Sequence, residues 1–281
     1  MAQSQASQKT FVFVGNRLEV LNAMLESCAQ VFILLEQDSF AAKTMHKQQK
    51  PYFTFDSKAK LLQILESLDF DVLVSNGCPY ILPVSSIKKP HQIFINCHPS
   101  LLPNLKGKHP INGAILYHQP SGATCHIMND AIDSGAIISQ VPVYNDSTTP
   151  LSLLYQMCFL AEKEAFLQAL ARDFKPQTQA ISKAEVPYFT YKEKDLELDF
   201  ANDSTQKIIN TIRAFARPNR MAGIRLNNQW LHFSNVQMIQ NTFLDTTFKD
   251  NAYNDVVLRY DEYLLCKRKE GFLQLTIGGG L

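Results

Sequence analysis

Short apolar runs alternate with amphipathic stretches along the first half of the chain. Residues 10–14, TFVFV, form a short apolar run that ends at Gly15-Asn16-Arg17. In the stretch that follows, Val20, Leu21, Met24 and Leu25 recur at the spacing of one helix face. Residues 31–37 (VFILLEQ) read as a buried strand, and residues 58–69 (KAKLLQILESLD) as an amphipathic helix. Residues 70–77 (FDVLVSNG) read as a strand ending in a turn, and 92–100 (QIFINCHPS) repeat that pattern. Strands alternating with helices predict a parallel α/β sheet. Strands apolar on both sides suit a sheet covered on both faces. Further on, 112–119 reads as a helix, 123–128 and 136–144 as strands, and 150–174 as one long helix.

The texture then changes. Residues 175–187 (KPQTQAISKAEVP) look like a polar linker. Helical periodicity returns over 204–215, and short runs rich in β-formers follow: GIRLNN, QWLHFSNV, DVVLRY, YLLCKR and GFLQLTI. The expected organisation is an α/β domain with a mostly parallel sheet over 1–190 and a small, mostly β domain over 191–281. Trp230 is expected in the core of the second domain. Apart from the tail Gly278-Gly279-Gly280, no low-complexity tract interrupts this plan.

Composition narrows the class. The 281 residues allow two domains at about 150 residues each. With 46% hydrophobic and 19% charged residues, wholesale disorder is excluded. Lys plus Arg number 27 against 26 Asp plus Glu, so the basic excess usual in nucleic-acid binders is missing. No run reaches 18 apolar residues, so no membrane span is expected. The N-terminus MAQSQASQKT lacks the apolar centre of a secretory signal. The six cysteines (28, 78, 97, 125, 158 and 266) form no CxxC pair and sit mostly in apolar runs. They are expected to be free core thiols in a reducing compartment, which makes the cytoplasm the expected location.

Three features could carry chemistry. Asn96 and His98 are two apart at the end of an apolar strand, so their side chains leave the same side. The carboxyl ends of strands are where open α/β sheets bind ligands. Next comes a proline-bounded loop, His98-Pro99-Ser100-Leu101-Leu102-Pro103, continuing to Lys106-Gly107-Lys108-His109-Pro110. The prolines make it rigid and neither strand nor helix. Third, the acidic loop around Asp130-Ala131-Ile132-Asp133-Ser134-Gly135 joins two strands and can bring Asp133 back to His98. Histidine moves protons near neutral pH. A carboxylate orients the ring and stabilises its charge. An Asn amide can donate to a developing oxyanion. No Ser or Cys sits in an evident nucleophile motif, so the set suits direct acyl transfer to an amine. Taken alone, Asn-x-His after a strand is also an ordinary capping feature, and Asp-Ser-Gly an ordinary turn.

The string INCHPSLLPNLKGKHPINGAI, followed by SGATCHIMNDAIDSGAIISQ, closely resembles the formyltransferase family that uses N10-formyltetrahydrofolate. That family includes methionyl-tRNA formyltransferase, glycinamide ribonucleotide transformylase and the nucleotide-sugar N-formyltransferases. The resemblance is densest over residues 70–145 and extends over most of the first 215. It implies a Rossmann-like formyltransferase domain with Asn96, His98 and Asp133 as the catalytic three. It further implies that residues 76–83, with Cys78, Tyr80, Ile81 and Leu82, line the folate pocket, and that Asp130 and Ile132 border it. In the implied reaction an acceptor amine attacks the formyl carbon of N10-formyltetrahydrofolate without a metal. Asn96 and protonated His98 stabilise the oxyanion, and Asp133 sets the protonation of His98. His46, His91, His118 and His232 are scattered without metal-ligand spacing.

Arg17, Lys106, Lys108 and His109 are candidate contacts to an anionic substrate. Arg17 fits a solvated turn as well, and the family often has Arg-Gly where this chain has Lys106-Gly107. His126 lies on a strand among alternating apolar neighbours and reads as a packed strand histidine. Arg213, Arg217 and Arg220 suit a diphosphate contact or an ordinary helix surface. Among acceptors, a nucleotide-linked amino sugar fits best on length, near-neutral charge and the small C-terminal domain, with surface polysaccharide synthesis following by analogy. Homodimerisation is implied by the resemblance alone. The tRNA enzyme carries a basic insertion after the second strand; here 37–53 is short, with Lys43, His46, Lys47 and Lys50. Methionyl-tRNA formyltransferase and a non-catalytic folate-binding protein stay open as alternatives.

Overall fold

A computed structural model describes residues 9–177, 184–226 and 229–278. Parts of the expected linker (178–183), the GIRLNN run (227 and 228) and the glycine tail (279 and 280) lie outside the described residues. The strands are β1 (Thr10–Gly15), β2 (Gln30–Glu36), β3 (Phe53–Phe55), β4 (Val72–Asn76), β5 (Ile93–His98), β6 (Ser121–Ile127), β7 (Ile137–Val143), β8 (Gly223–Leu226), β9 (Gln229–Ile239), β10 (Val256–Tyr260), β11 (Tyr263–Arg268) and β12 (Gly271–Ile277). The α-helices are α1 (Leu18–Ser27), α2 (Phe40–Lys47), α3 (Lys58–Ser67), α4 (Val84–Ile87), α5 (Pro110–Leu116), α6 (Leu151–Ala171), α7 (Thr205–Ala214) and α8 (Thr242–Thr247).

The chain forms two compact units, each built from discontinuous segments. One takes Met1–Pro110, Pro120–Asp146 and Tyr155–Phe189; the other takes Ile111–Gln119, Ser147–Leu154 and Thr190–Leu281. The first unit holds a sheet in the order β3-β2-β1-β4-β5-β6-β7. Strands β1 to β5 pair in parallel, while β6 and β7 run antiparallel. Its two faces explain the apolar strands. Phe11, Phe13, Ile33, Leu35, Val72, Val74, Ile95 and Cys97 enter one core cluster. Their neighbours Val12, Val14, Leu34, Leu73 and Phe94 enter another. Alternate residues point to opposite faces, and here both faces are covered.

The stretch 37–53 differs from its reading as a short basic segment. Ser39 caps α2 by accepting the Ala42 N–H at 3.1 Å, and Ala41, Ala42 and Met45 bury one face of that helix. Strand β3 then adds to β2 at the edge of the sheet. Small residues and one Met carry this helix's buried stripe, so no run of large apolar residues marks it in the sequence.

The second unit contains a five-stranded antiparallel sheet in the order β10-β11-β12-β9-β8. Its core includes Phe233, Phe272, Leu273 and Leu275. Trp230 is not in that core: it is 37% exposed. Its cross-strand partner is Arg225, whose guanidinium lies over the indole at 4.9 Å, and His232 stacks beside it. Phe233 and Val236 supply the buried positions of β9, leaving Trp230 on the outer surface. The cysteines are free; all are buried except Cys78, which is half-buried. No described helix is long and apolar enough to cross a membrane.

Phe166 is fully buried in the core of the first unit. Phe166→Ala should destabilise the protein by about 3–5 kcal/mol. Urea unfolding should show a lower midpoint at an unchanged slope. A wild-type midpoint would mean that this core does not depend on the ring.

Candidate active site

The strand register builds the site. On β5, Phe94, Asn96 and His98 share a face, while Ile95 and Cys97 turn to the opposite core. Antiparallel pairing sets Asn96 opposite His126 and His98 opposite Thr124 on β6. The Thr124 hydroxyl donates to the Ser100 carbonyl at 2.7 Å and accepts from the Leu102 N–H at 3.1 Å. Gln140 on β7 donates both to the Thr124 hydroxyl and to the Leu102 carbonyl, each at 2.9 Å. These bonds pin the proline-bounded loop.

The acidic loop doubles back because Ile127 N–H donates to the Ala136 carbonyl at 2.9 Å, closing its neck. Gly135 presses on the Ile127 carbonyl so closely that an added Cβ would lie 1.7 Å from that oxygen. Asp133 itself takes a left-handed φ of 47°, a conformation that Asp tolerates better than most residues. Its carboxylate is thereby returned to the end of β5.

There it meets four groups. Asp133 Oδ2 accepts the Gly107 N–H at 2.9 Å and lies 3.5 Å from His98 Nδ1. Asp133 Oδ1 lies 3.4 Å from the Asn96 amide nitrogen and 3.6 Å from His126 Nε2. On the other side of its ring, His98 Nε2 faces the Leu105 carbonyl at 2.9 Å. A carbonyl only accepts, so Nε2 carries the proton and Nδ1 is the nitrogen that titrates. The loop Leu105–Gly107 thus orients both members of the His–Asp pair. It is held from behind by the chain at 186–189: Leu105 N–H donates to the Val186 carbonyl, and Phe189 N–H to the Lys106 carbonyl. At Gly107, φ is 103°, and a Cβ would come within 2.9 Å of the Tyr188 ring and the Phe189 carbonyl.

The electrostatics follow from burial. Burial would raise the Asp133 carboxyl, but the His126 contact, the His98 charge and the Gly107 N–H outweigh it and hold the group down at about 2. It is a carboxylate throughout the neutral range. Burial lowers His98 from 6.5 by more than the facing carboxylate and the Leu105 carbonyl raise it. The ring is therefore neutral at neutral pH, with an unprotonated Nδ1. The expectation of a His98 already protonated gives way to one that gains its proton during a reaction.

The other sequence candidates fall into groups. Cys78 and Tyr80 are half-buried, Leu82 is buried and Ile81 is exposed. Their loop is folded by the Cys78 thiol donating to the Tyr80 carbonyl and by the Tyr80 hydroxyl donating to the Asp56 carbonyl at 3.0 Å. Asp130 and Ile132 are exposed, and Asp130 accepts the Ser85 N–H at the start of α4, which ties the acidic loop to the 78–85 loop. Lys106 and His109 are half-buried, and Lys108 is exposed, in the loop beyond the His–Asp pair. Arg17 stands apart from these. Its guanidinium pairs with the fully buried Glu162 of α6 and lies over the Phe159 ring at 4.6 Å. Burial raises the Glu162 carboxyl to about 7 against the pull of Arg17. Among the described residues, no group of three His, Cys, Asp or Glu side chains could hold a metal ion.

Sequence reasoning does not place His126, Thr124 or Gln140 in this site. The signal was the alternation in ATCHIM, where Thr124 and His126 occupy the face opposite Ala123 and Cys125. Only the pairing of β6 with β5 shows that this face is the one carrying Asn96.

With this geometry in view, comparison with known proteins gives the family. The Formyl transferase family pattern matches residues 29–170, and the chain belongs to that family. It is 33% identical over 171 residues to the methionyl-tRNA formyltransferase of Synechococcus sp. (strain JA-2-3B'a(2-13)), covering 59% of this chain and 52% of that protein. The chain spans about half the length of the curated relatives it matches. Among solved structures, a sugar N-formyltransferase from Shewanella sp FDAARGOS_354 superposes with a TM-score of 0.66 at 18% identity, covering 83% of this chain and 99% of that one. An N-formyltransferase from Helicobacter canadensis, solved with folinic acid and dTDP-3-aminofucose, superposes with a TM-score of 0.66 at 17% identity, covering 97% and 100%. These likenesses establish the α/β formyltransferase fold with its C-terminal antiparallel sheet.

Because the Asp133 carboxylate raises His98, Asp133→Asn should move the His98 titration further below 6.5. Imidazole NMR across pH reads this directly. An upward or absent shift would mean that Asp133 does not govern the ring.

Proposed function

We propose that the protein is a folate-dependent N-formyltransferase that moves a formyl group from N10-formyltetrahydrofolate to the amine of a nucleotide-linked amino sugar. The observation that carries the reading is the unprotonated His98 Nδ1 facing an ionised Asp133 at 3.5 Å, with Nε2 held by the Leu105 carbonyl. That is a base whose conjugate acid has a counter-ion already in place.

In this reading the folate supplies the formyl group. His98 Nδ1 takes the proton that the acceptor nitrogen sheds as it bonds to the formyl carbon. Asp133 stabilises the imidazolium so formed. One Asn96 amide hydrogen turns to the oxyanion. The amide's bonds to His126 and Asp133, at 3.3 and 3.4 Å, are longer than the usual 2.9–3.0 Å, so redirecting one costs little. The carbon–nitrogen bond to the folate then breaks, and the imidazolium returns its proton to the departing nitrogen. Cys78, Tyr80, Ile81 and Leu82, with Asp130 and Ile132, suit the folate: apolar side chains beside main-chain polar groups match a flat, polar ring. Lys106, Lys108 and His109 are assigned to the anionic part of the acceptor. Arg17, committed to Glu162, is assigned to holding the site's frame.

The sugar acceptor is supported by a fold shared nearly end to end with the Helicobacter canadensis enzyme and by a net charge of +1. The sequence similarity to methionyl-tRNA formyltransferase favours the second reading, an initiator tRNA acceptor. The two are separated by incubating the protein with N10-formyltetrahydrofolate and either dTDP- and UDP-linked 3- and 4-amino sugars or charged initiator methionyl-tRNA. A formyl mass gain on an amino sugar is expected. Formylation of the tRNA alone would overturn the sugar reading, and no formylated acceptor together with no folate turnover would overturn the enzyme.

A further inference from the structure

We infer that His126 is a positioning residue of this site, which fixes the carboxamide of Asn96 from the side of Asp133 away from His98. The inference rests on the formyl-transfer reading for its role in turnover, but its geometry stands without it.

His126 is 2% exposed and sits directly opposite Asn96 in the β5–β6 ladder. Its Nδ1 lies 2.8 Å from the Ile127 carbonyl, which can only accept. The proton of the neutral ring therefore sits on Nδ1, and the lone pair on Nε2 points into the site. That lone pair lies 3.3 Å from the Asn96 amide nitrogen, while Asp133 Oδ1 lies 3.4 Å from the same nitrogen. The two amide hydrogens of Asn96 thus have two separate acceptors. Flipping the amide would set its oxygen against a carboxylate and a ring lone pair, so one orientation is selected. Asp133 is flanked symmetrically, with His98 Nδ1 at 3.5 Å from one oxygen and His126 Nε2 at 3.6 Å from the other. Gly135 serves the same end: its lack of a Cβ keeps the Ile127 carbonyl clear to accept from His126.

An amide donor must be aimed before charge develops, because a displacement of about 1 Å can cost about 10²-fold in rate. His126→Phe keeps a planar ring but removes the acceptor, whereas His126→Gln restores an acceptor oxygen. The expected result is a kcat reduced by about 10²-fold in His126→Phe with KM for both substrates nearly unchanged, and recovery to within about tenfold in His126→Gln. Melting temperature and affinity for 5-formyltetrahydrofolate, used as an unreactive probe, should match wild type in both variants. Wild-type kcat in His126→Phe would overturn the assignment. So would equal losses in both variants accompanied by lower melting temperature and weaker probe binding, the pattern of a purely structural residue. A readout independent of turnover is the pair of Asn96 side-chain amide proton resonances. In the wild type the two should be well separated and protected from exchange; in His126→Phe that protection should be lost. Unchanged Asn96 resonances would overturn the inference even in a protein that transfers no formyl group. Failure of every acceptor with the resonance change intact would instead count against the function alone.

Discussion

The nearly buried Asp133 carboxylate is the constraint from which the rest of the site follows. Taking a carboxylate out of water costs several kcal/mol unless its oxygens find donors or cations. Here the donors are the main chain at Gly107 and the amide of Asn96, with an imidazole standing on either flank. Apart from His126, none of these groups is near Asp133 in sequence. The β5–β6 register, the left-handed turns at Leu105 and Gly107, and the tight neck at Gly135 together deliver them. Its neighbours hold that carboxyl down at about 2, and its charge raises His98 by less than burial lowers it, which leaves the ring neutral. A site with an obligatory anion and a neutral base beside it is ready for a reaction that releases a proton as it begins.

The sheet makes this possible by separating its faces. Ile95 and Cys97 anchor β5 in the core on one side, and Phe94 does so on the other. Beyond Phe94, the same face carries Asn96 and then His98, polar groups at the strand's end. Binding at the carboxyl edge of an open α/β sheet is a general property of such folds. On the opposite face, Glu162 is buried with Arg17 as its counter-charge. Breaking one member of such a pair leaves an uncompensated charge in the core, so that pair ties the turn after β1 to α6.

Much of this was legible in the sequence. Apolar runs alternating with helical periodicity point to the strand–helix order, and the β-former runs from 223 onward point to a small, mostly β domain, though not to its antiparallel order. Asn96, His98 and Asp133 could be picked out by residue type and loop placement, and the structure brings the three together. What could not be read depended on pairing. His126 looked like any half-hidden strand histidine until β6 was set against β5. Arg17 looked available until α6, 145 residues away, supplied Glu162. Trp230 is expected in a core, but its neighbours on β8 and β9 decide the face it occupies. Helix α2 was hidden because alanines and a single Met, not a leucine stripe, make its buried side.

The most direct measurement is single-turnover release of tetrahydrofolate from N10-formyltetrahydrofolate in the presence of the accepting amine, compared between wild type and His98→Ala. If His98 accepts the amine's proton, the variant should lose about 10²–10⁴-fold in rate while binding 5-formyltetrahydrofolate as tightly as wild type. A rate within a few-fold of wild type, with folate binding intact, would contradict the account at its centre, because the proton would then have another acceptor.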